Sequence, residues 1–86
     1  MNNAKSVVNL MPTDSHKSFY GKARVMRSDD GTITLISYTT QVCRINPDGK
    51  FEKLWYGYSA TTMRHIQSFC DTYGLESGGK KWWEEL

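Results

Sequence analysis

FYGKARVMRSDDGTITLISYTTQVCRINPDGKFEKLWY, residues 19–56, decides the fold. Residues 19–27, FYGKARVMR, alternate with the period of two that marks a strand. Asp29, Asp30 and Gly31 then supply a turn, because Asp-Gly tolerates the positive φ of a tight hairpin. Residues 32–38, TITLISY, are β-branched and aromatic and predict a second strand. Thr39 and Thr40 give a weaker turn signal before a third strand at 41–46, QVCRIN. Pro47-Asp48-Gly49 is a strong turn, and 51–56, FEKLWY, is the fourth strand. Connections this short predict an antiparallel meander.

Beyond Tyr56 the period changes. Ser59 is a good N-cap, and Met63, Ile66, Phe69/Cys70 and Tyr73 recur at helical steps. Gly74 is placed to end that helix in a left-handed cap, with Leu75 folding back toward Cys70. ESGG at 76–79 is a flexible joint, and KKWWEEL at 80–86 is one short terminal segment. Upstream, residues 1–18 are polar and punctuated by Pro12, Asp14 and Ser15. They predict a mobile N-terminal arm (1–18), a ββββα domain (19–75) and a C-terminal tail (76–86). The expected class is α+β: four antiparallel strands with one helix packed across one face.

Composition limits what such a domain does. At 86 residues there is room for one thin core and none for separate cofactor and substrate domains. Aromatics reach 13%, which suits both a thin core and a binding face. No stretch approaches the length of a membrane span, and the first residues lack a signal-peptide core, so a cytoplasmic protein without membrane contact is expected. The net charge of +2 is too small to imply nucleic acid by itself. It is uneven: residues 1–56 hold eight Lys/Arg against five Asp/Glu, and residues 57–86 hold three against four. Cys43 and Cys70 form no C-x-x-C, and with His16 and His65 they match no zinc spacing. Two free buried thiols, no metal and no cofactor are expected.

Period-two alternation sorts the strands onto two faces. Ala23, Val25, Ile33, Leu35, Cys43, Ile45 and Leu54 are expected beneath the helix. Tyr20, Lys22, Arg24, Met26, Ile36, Tyr38, Arg44, Lys53 and Trp55 are expected on the opposite face, with cations and rings interleaved. Such a face suits single-stranded nucleic acid, with charges for phosphates and rings for bases. It equally suits an acidic protein surface, or a plain solvated sheet face. No RRM signature is present. A second candidate is the helix start, where Ser59, Thr61, Thr62 and Arg64 surround free N–H groups that attract anions; the plain alternative is ordinary capping. A third is the Trp82-Trp83 pair, which cannot bury both rings on one short turn. One is expected to pack back on the domain, leaving the other for a homodimer or partner interface. Catalysis finds little support: Ser59 with His65 lacks an orienting acid and an oxyanion hole, and neither G-x-S-x-G nor H-E-x-x-H occurs.

LWYGYSATTMRHIQSF at 54–69 and GGKKWWEEL at 78–86, with S-Y-T-T-x-V at 37–42 and F-Y-G-K-A at 19–23, resemble a family of small uncharacterised domains of phages and mobile elements of gut Firmicutes. The resemblance covers residues 19–86 and carries no catalytic motif. It implies a phage-like origin. By analogy with small phage accessory proteins, among them anti-CRISPR inhibitors, it implies a protein that binds a bacterial partner such as a defence nuclease complex. The expectation is a non-enzymatic inhibitor that covers a partner's working surface. The alternative is a small nucleic-acid-binding accessory protein using the same sheet face.

Overall fold

Both acidic turns close in the same way. Gly31 and Gly49 adopt φ of 96° and 87°, each as the last residue of a three-residue loop. Ser28 donates to the Thr32 carbonyl across one loop, and Asn46 to the Lys50 carbonyl across the other. The turn aspartates repeat the pattern: Asp30 accepts from the Thr32 N–H and Asp48 from the Lys50 N–H. A type I turn followed by a left-handed glycine is a favoured three-residue hairpin connection.

A computed structural model of the chain describes residues 5–13, 19 and 21–86. These form strands β1 (Lys5–Asn9), β2 (Ala23–Ser28), β3 (Ile33–Ser37), β4 (Thr40–Ile45) and β5 (Phe51–Lys53), then helices α1 (Ala60–Thr72) and α2 (Lys80–Glu84). The sheet is an antiparallel meander in the order β1-β2-β3-β4-β5. The α+β class is as expected, but the sheet has five strands where four were expected. The additional strand comes from the segment read as an arm. Its β-branched pair accounts for it: Val8 lies opposite Val25 and Val7 opposite Met26, and Leu10, just beyond, is buried. The rest of the predicted arm falls largely outside the described residues.

Helix α1 carries the expected caps. The Ser59 hydroxyl accepts from the Thr62 N–H, and at the far end Leu75 donates to the Cys70 carbonyl while Gly74, at φ 72°, donates to Asp71. That pair of bonds is the Schellman pattern. The helix buries Met63, Ile66, Phe69 and Cys70 against Ala23, Val25, Leu35, Val42 and Cys43. A bulge between β3 and β4 leaves Val42 without a partner on β3, so Val42 and Cys43 are both buried although they are adjacent. The Val42 carbonyl then accepts from both Leu54 and Trp55, where the chain leaves β5.

Trp83 completes the core. It is 0% exposed, its indole N–H donates to the Gly57 carbonyl, and its ring lies edge-on to Phe51. Cys43 and Cys70 are free and buried; burial pushes both thiols up, Cys70 to about 11 with the neighbouring Asp71 adding to the effect. Trp83→Ala is expected to destabilise the protein by about 3–5 kcal/mol in urea unfolding, the usual cost of emptying an aromatic site. Both thiols should resist maleimide in the native protein and react together once it unfolds; rapid native labelling of either would contradict this packing.

Candidate functional site: the open face of the sheet

Pairing across the sheet defines the face turned away from α1. One row runs Val7, Met26, Thr34, Arg44, Glu52, and the next runs Asn9, Arg24, Ile36, Gln41. Val7 is 50% exposed, Met26 and Ile36 are half-buried, and Thr34 lies buried among its larger neighbours. The result is an apolar strip with a polar rim. Among the described residues, neither helix packs on this side. Arg24 and Arg44 lie here as expected. Arg44 is committed within the face: its guanidinium pairs with Glu52 at 2.8 Å, and Asn46 donates to the same carboxylate oxygen. Asn46 and then Arg44 hold the Glu52 carboxyl below its ordinary range.

One corner keeps the cation–ring combination. Tyr38 sits in the two-residue turn between β3 and β4 at φ 57°, in the left-handed region that costs a bulky residue about 1–3 kcal/mol. Neighbouring groups hold it there. Arg24 donates to its carbonyl at 3.0 Å, and its own N–H donates to Lys22. The Lys22 ammonium lies 5.9 Å from the centre of its ring. The ring remains 47% exposed. The ring also lies 5.9 Å from the buried His65 imidazole of α1, so Tyr38, expected on the open face, sits at the end of the sheet toward the helix, with Lys22 and Arg24 beside it.

Two expected members of that face are elsewhere. Ile45 lies opposite Phe51, so Cys43 lies opposite Lys53, and Lys53 points to the inner side. Its ammonium donates to the Trp83 carbonyl at 2.7 Å and lies over the Tyr56 and Trp83 rings. A long aliphatic stem with a satisfied charged end can occupy such a place. Trp55 packs against the core, its ring so close over Gly57 that a Cβ there would meet it at 2.6 Å. Leu54, expected beneath the helix, is half-buried where the strand has ended. Tyr20 and His16 lie outside the described residues. Of the tail pair, Trp82 is half-buried beside Phe51, on the inner side.

The helix start is largely engaged within the fold. Ser59 caps it, Thr62 is buried, and Arg64 lies 5.0 Å from the Phe19 ring centre. Thr61 faces outward. The histidine expected near it has a different serine for a partner: His65 Nδ1 lies 2.8 Å from Ser37 Oγ, which also bonds the Thr62 hydroxyl at 3.2 Å. All three residues are buried, with the Phe19 ring edge-on to the imidazole at 4.6 Å. A serine–histidine contact is the core of a nucleophile–base pair. This hydroxyl is only 2% exposed, out of a substrate's reach, and the contact instead pins α1 to β3.

Elsewhere, an open groove of about 390 Å³ lies between the β2–β3 turn and the end of α1, lined by Arg27, Ser28, Gly31, Thr32, Ile33 and Tyr73. Sequence reasoning missed Arg27, whose guanidinium bonds the Tyr73 hydroxyl. It also missed Val7, because the arm reading removed β1 from the sheet. The adjacent β-branched valines were the signal.

Among the described residues, no helix is long and apolar enough to cross a membrane. Over residues 8–85 the chain matches a family described as a family of unknown function (DUF8033). The chain belongs to that family. The matched span begins at Val8, inside β1, and runs through the tail, so the Trp82-Trp83 segment is part of the family domain. No curated protein and no solved structure matches the chain. The family description names neither an activity nor a source.

His65 yields a pH prediction. Burial, and then the Arg64 cation, push its imidazole below the ordinary 6.5. The unfolded chain thus takes up a proton at a pH where the folded chain does not, and stability falls as pH drops below about 6.5. Urea midpoints should be level above pH 7 and decline between about pH 6.5 and 5, above most carboxylate titrations. His65→Gln should flatten that decline. An unchanged slope in His65→Gln would remove His65 as its source.

Proposed function

We propose that this chain is a non-enzymatic interaction protein that docks a protein partner on the open face of its sheet. The observation that supports this best is the layout of apolar surface. Both helices and the buried tail tryptophan serve the inner side, while Val7, Met26 and Ile36 line the other beside Arg24, with Tyr38 and Lys22 at the end of the sheet. Apolar groups beside Tyr and Arg are the make-up of an interface centre. The complementary partner surface is an apolar ridge with a carboxylate at one end, placed to meet Lys22 and Arg24.

The nucleic-acid alternative is weakened by the same layout. Arg44 is taken by Glu52, and Lys53 and Trp55 lie away from the face, so the remaining cations and rings make no continuous track for a strand. The narrower reading, a phage-borne inhibitor of a bacterial defence nuclease complex acting in the host cytoplasm, rests on the sequence resemblance and analogy alone.

The test is capture of the partner from bacterial lysate with the full chain, followed by titration of that partner with variants. Arg24→Glu and Met26→Glu should each weaken binding at least about tenfold, within the range of interface hot spots. Both should keep the parent's circular dichroism spectrum; Arg24→Glu also loses the bond to the Tyr38 carbonyl and should melt slightly lower. Undiminished binding in both variants would remove this face as the site. A captured nuclease subunit would support the defence reading. Capture of nucleic acid alone, lost steeply between about 50 and 200 mM salt, would favour the alternative.

A further inference from the structure

The two edges of the sheet are treated differently. β5 is three residues long, and its last residue, Lys53, is tied to the Trp83 carbonyl. β1 has five residues, and no strand lies beyond it among the described residues. From Ser6 to Asn9 it carries no proline, charge or bulge, the devices that blunt an edge. Val7 and Val8, on opposite faces, are 50% and 49% exposed.

The phase of the ladder shows which backbone groups β1 presents. Leu10 donates to the Ala23 carbonyl at 2.8 Å, which makes Leu10–Ala23 a hydrogen-bonded pair. Alternation then gives Val8–Val25 and Ser6–Arg27 the same character. The other side of β2 agrees, since Lys22 and Ser28 bond toward Tyr38 and Thr32. The N–H and C=O groups of Lys5, Val7 and Asn9 therefore point away from β2, along the edge that no described strand covers.

We propose that β1 pairs antiparallel with β1 of a second copy about a two-fold axis through Val7, joining two five-stranded sheets into one. Three outward residues spaced by two are self-complementary about the middle one. Val7 exchanges both bonds with Val7 of the second copy, and Lys5 and Asn9 exchange theirs with Asn9 and Lys5. All six outward groups of each strand are then bonded. A two-fold centred on Val8 leaves Lys5 unmatched, so the Val7 register is favoured. On the open face, Val7 and Met26 of each copy become one apolar strip. An antiparallel edge pair closes with two-fold symmetry, so assembly stops at the dimer.

An edge interface of one short strand corresponds to a weak, reversible dimer. Sedimentation equilibrium of the full chain should show that equilibrium. Val7→Pro removes a donor that faces outward and spares every β1–β2 bond, so it should give a monomer with an unchanged circular dichroism spectrum. Val7→Lys sets two like charges at the axis and should do the same if the proline variant fails to fold. In the parent protein, hydrogen exchange at the Val7 and Asn9 amides should slow as concentration rises, while exchange at Val8 should not depend on dimer formation. A parent that stays monomeric to about 1 mM, a dimer that survives Val7→Lys, or fast Val7 and Asn9 exchange in the dimer would each overturn the proposal.

Discussion

One helix cannot cover a five-stranded sheet. An α-helix with its side chains is about 10 Å across, and five strands span about 19 Å. α1 lies against β3, so the inner face has a flank to fill on either side of it. Leu10 and Phe19 are buried on the β1–β2 side. Across the β5 side come Phe51, Trp83 and the stem of Lys53. Among the described residues that flank is filled by α2, a five-residue helix carrying two tryptophans beside Phe51. The consequence is asymmetry: apolar mass concentrates on one side of the sheet, and the other side stays open.

The helix meets the sheet through two stripes of different chemistry. Met63, Ile66, Phe69 and Cys70 make the apolar one. Thr62, His65 and Ser68, at three-residue steps, make a buried polar one, and each has a partner: Ser37 for the first two, Thr13 for the third. Thr13 also bonds Asp71 on the next turn. Apolar contacts are tolerant of sliding, whereas buried hydrogen bonds are costly to leave unmade. The polar stripe therefore fixes the axial position of α1 and anchors the chain after β1. By holding Ser37, it also positions the neighbouring Tyr38 beside Lys22 and Arg24.

Much of this was legible in the residues. The hairpin glycines, the Ser59 cap, the Gly74–Leu75 ending and the meander all follow from local chemistry. The face of β5 was legible too, but only by counting through its turn. A three-residue Pro47-Asp48-Gly49 loop pairs Asn46 with Lys50 and hence Ile45 with Phe51, which sends Lys53 inward. Hydropathy points the other way, since it prefers Leu54 inside over Lys53, and it cannot see that a tryptophan carbonyl thirty residues on will receive the ammonium. β1 escaped because strand pairing is a tertiary property and KSVVN is short and half polar. The pairing of His65 with Ser37 spans 28 residues and has no local signal.

The crowding around Gly57 also has an optical meaning. All three tryptophans of the chain stand within one neighbourhood: Trp55 over Gly57, Trp83 bonded to its carbonyl, and Trp82 against Trp83 and Phe51. Intrinsic fluorescence is therefore a local probe of the tail's seat beside β5, insensitive to the Tyr38 corner and to β1. Far-ultraviolet ellipticity follows the strands and α1 instead. Coincidence or separation of the two signals on heating distinguishes a tail that melts with the sheet from one that departs first.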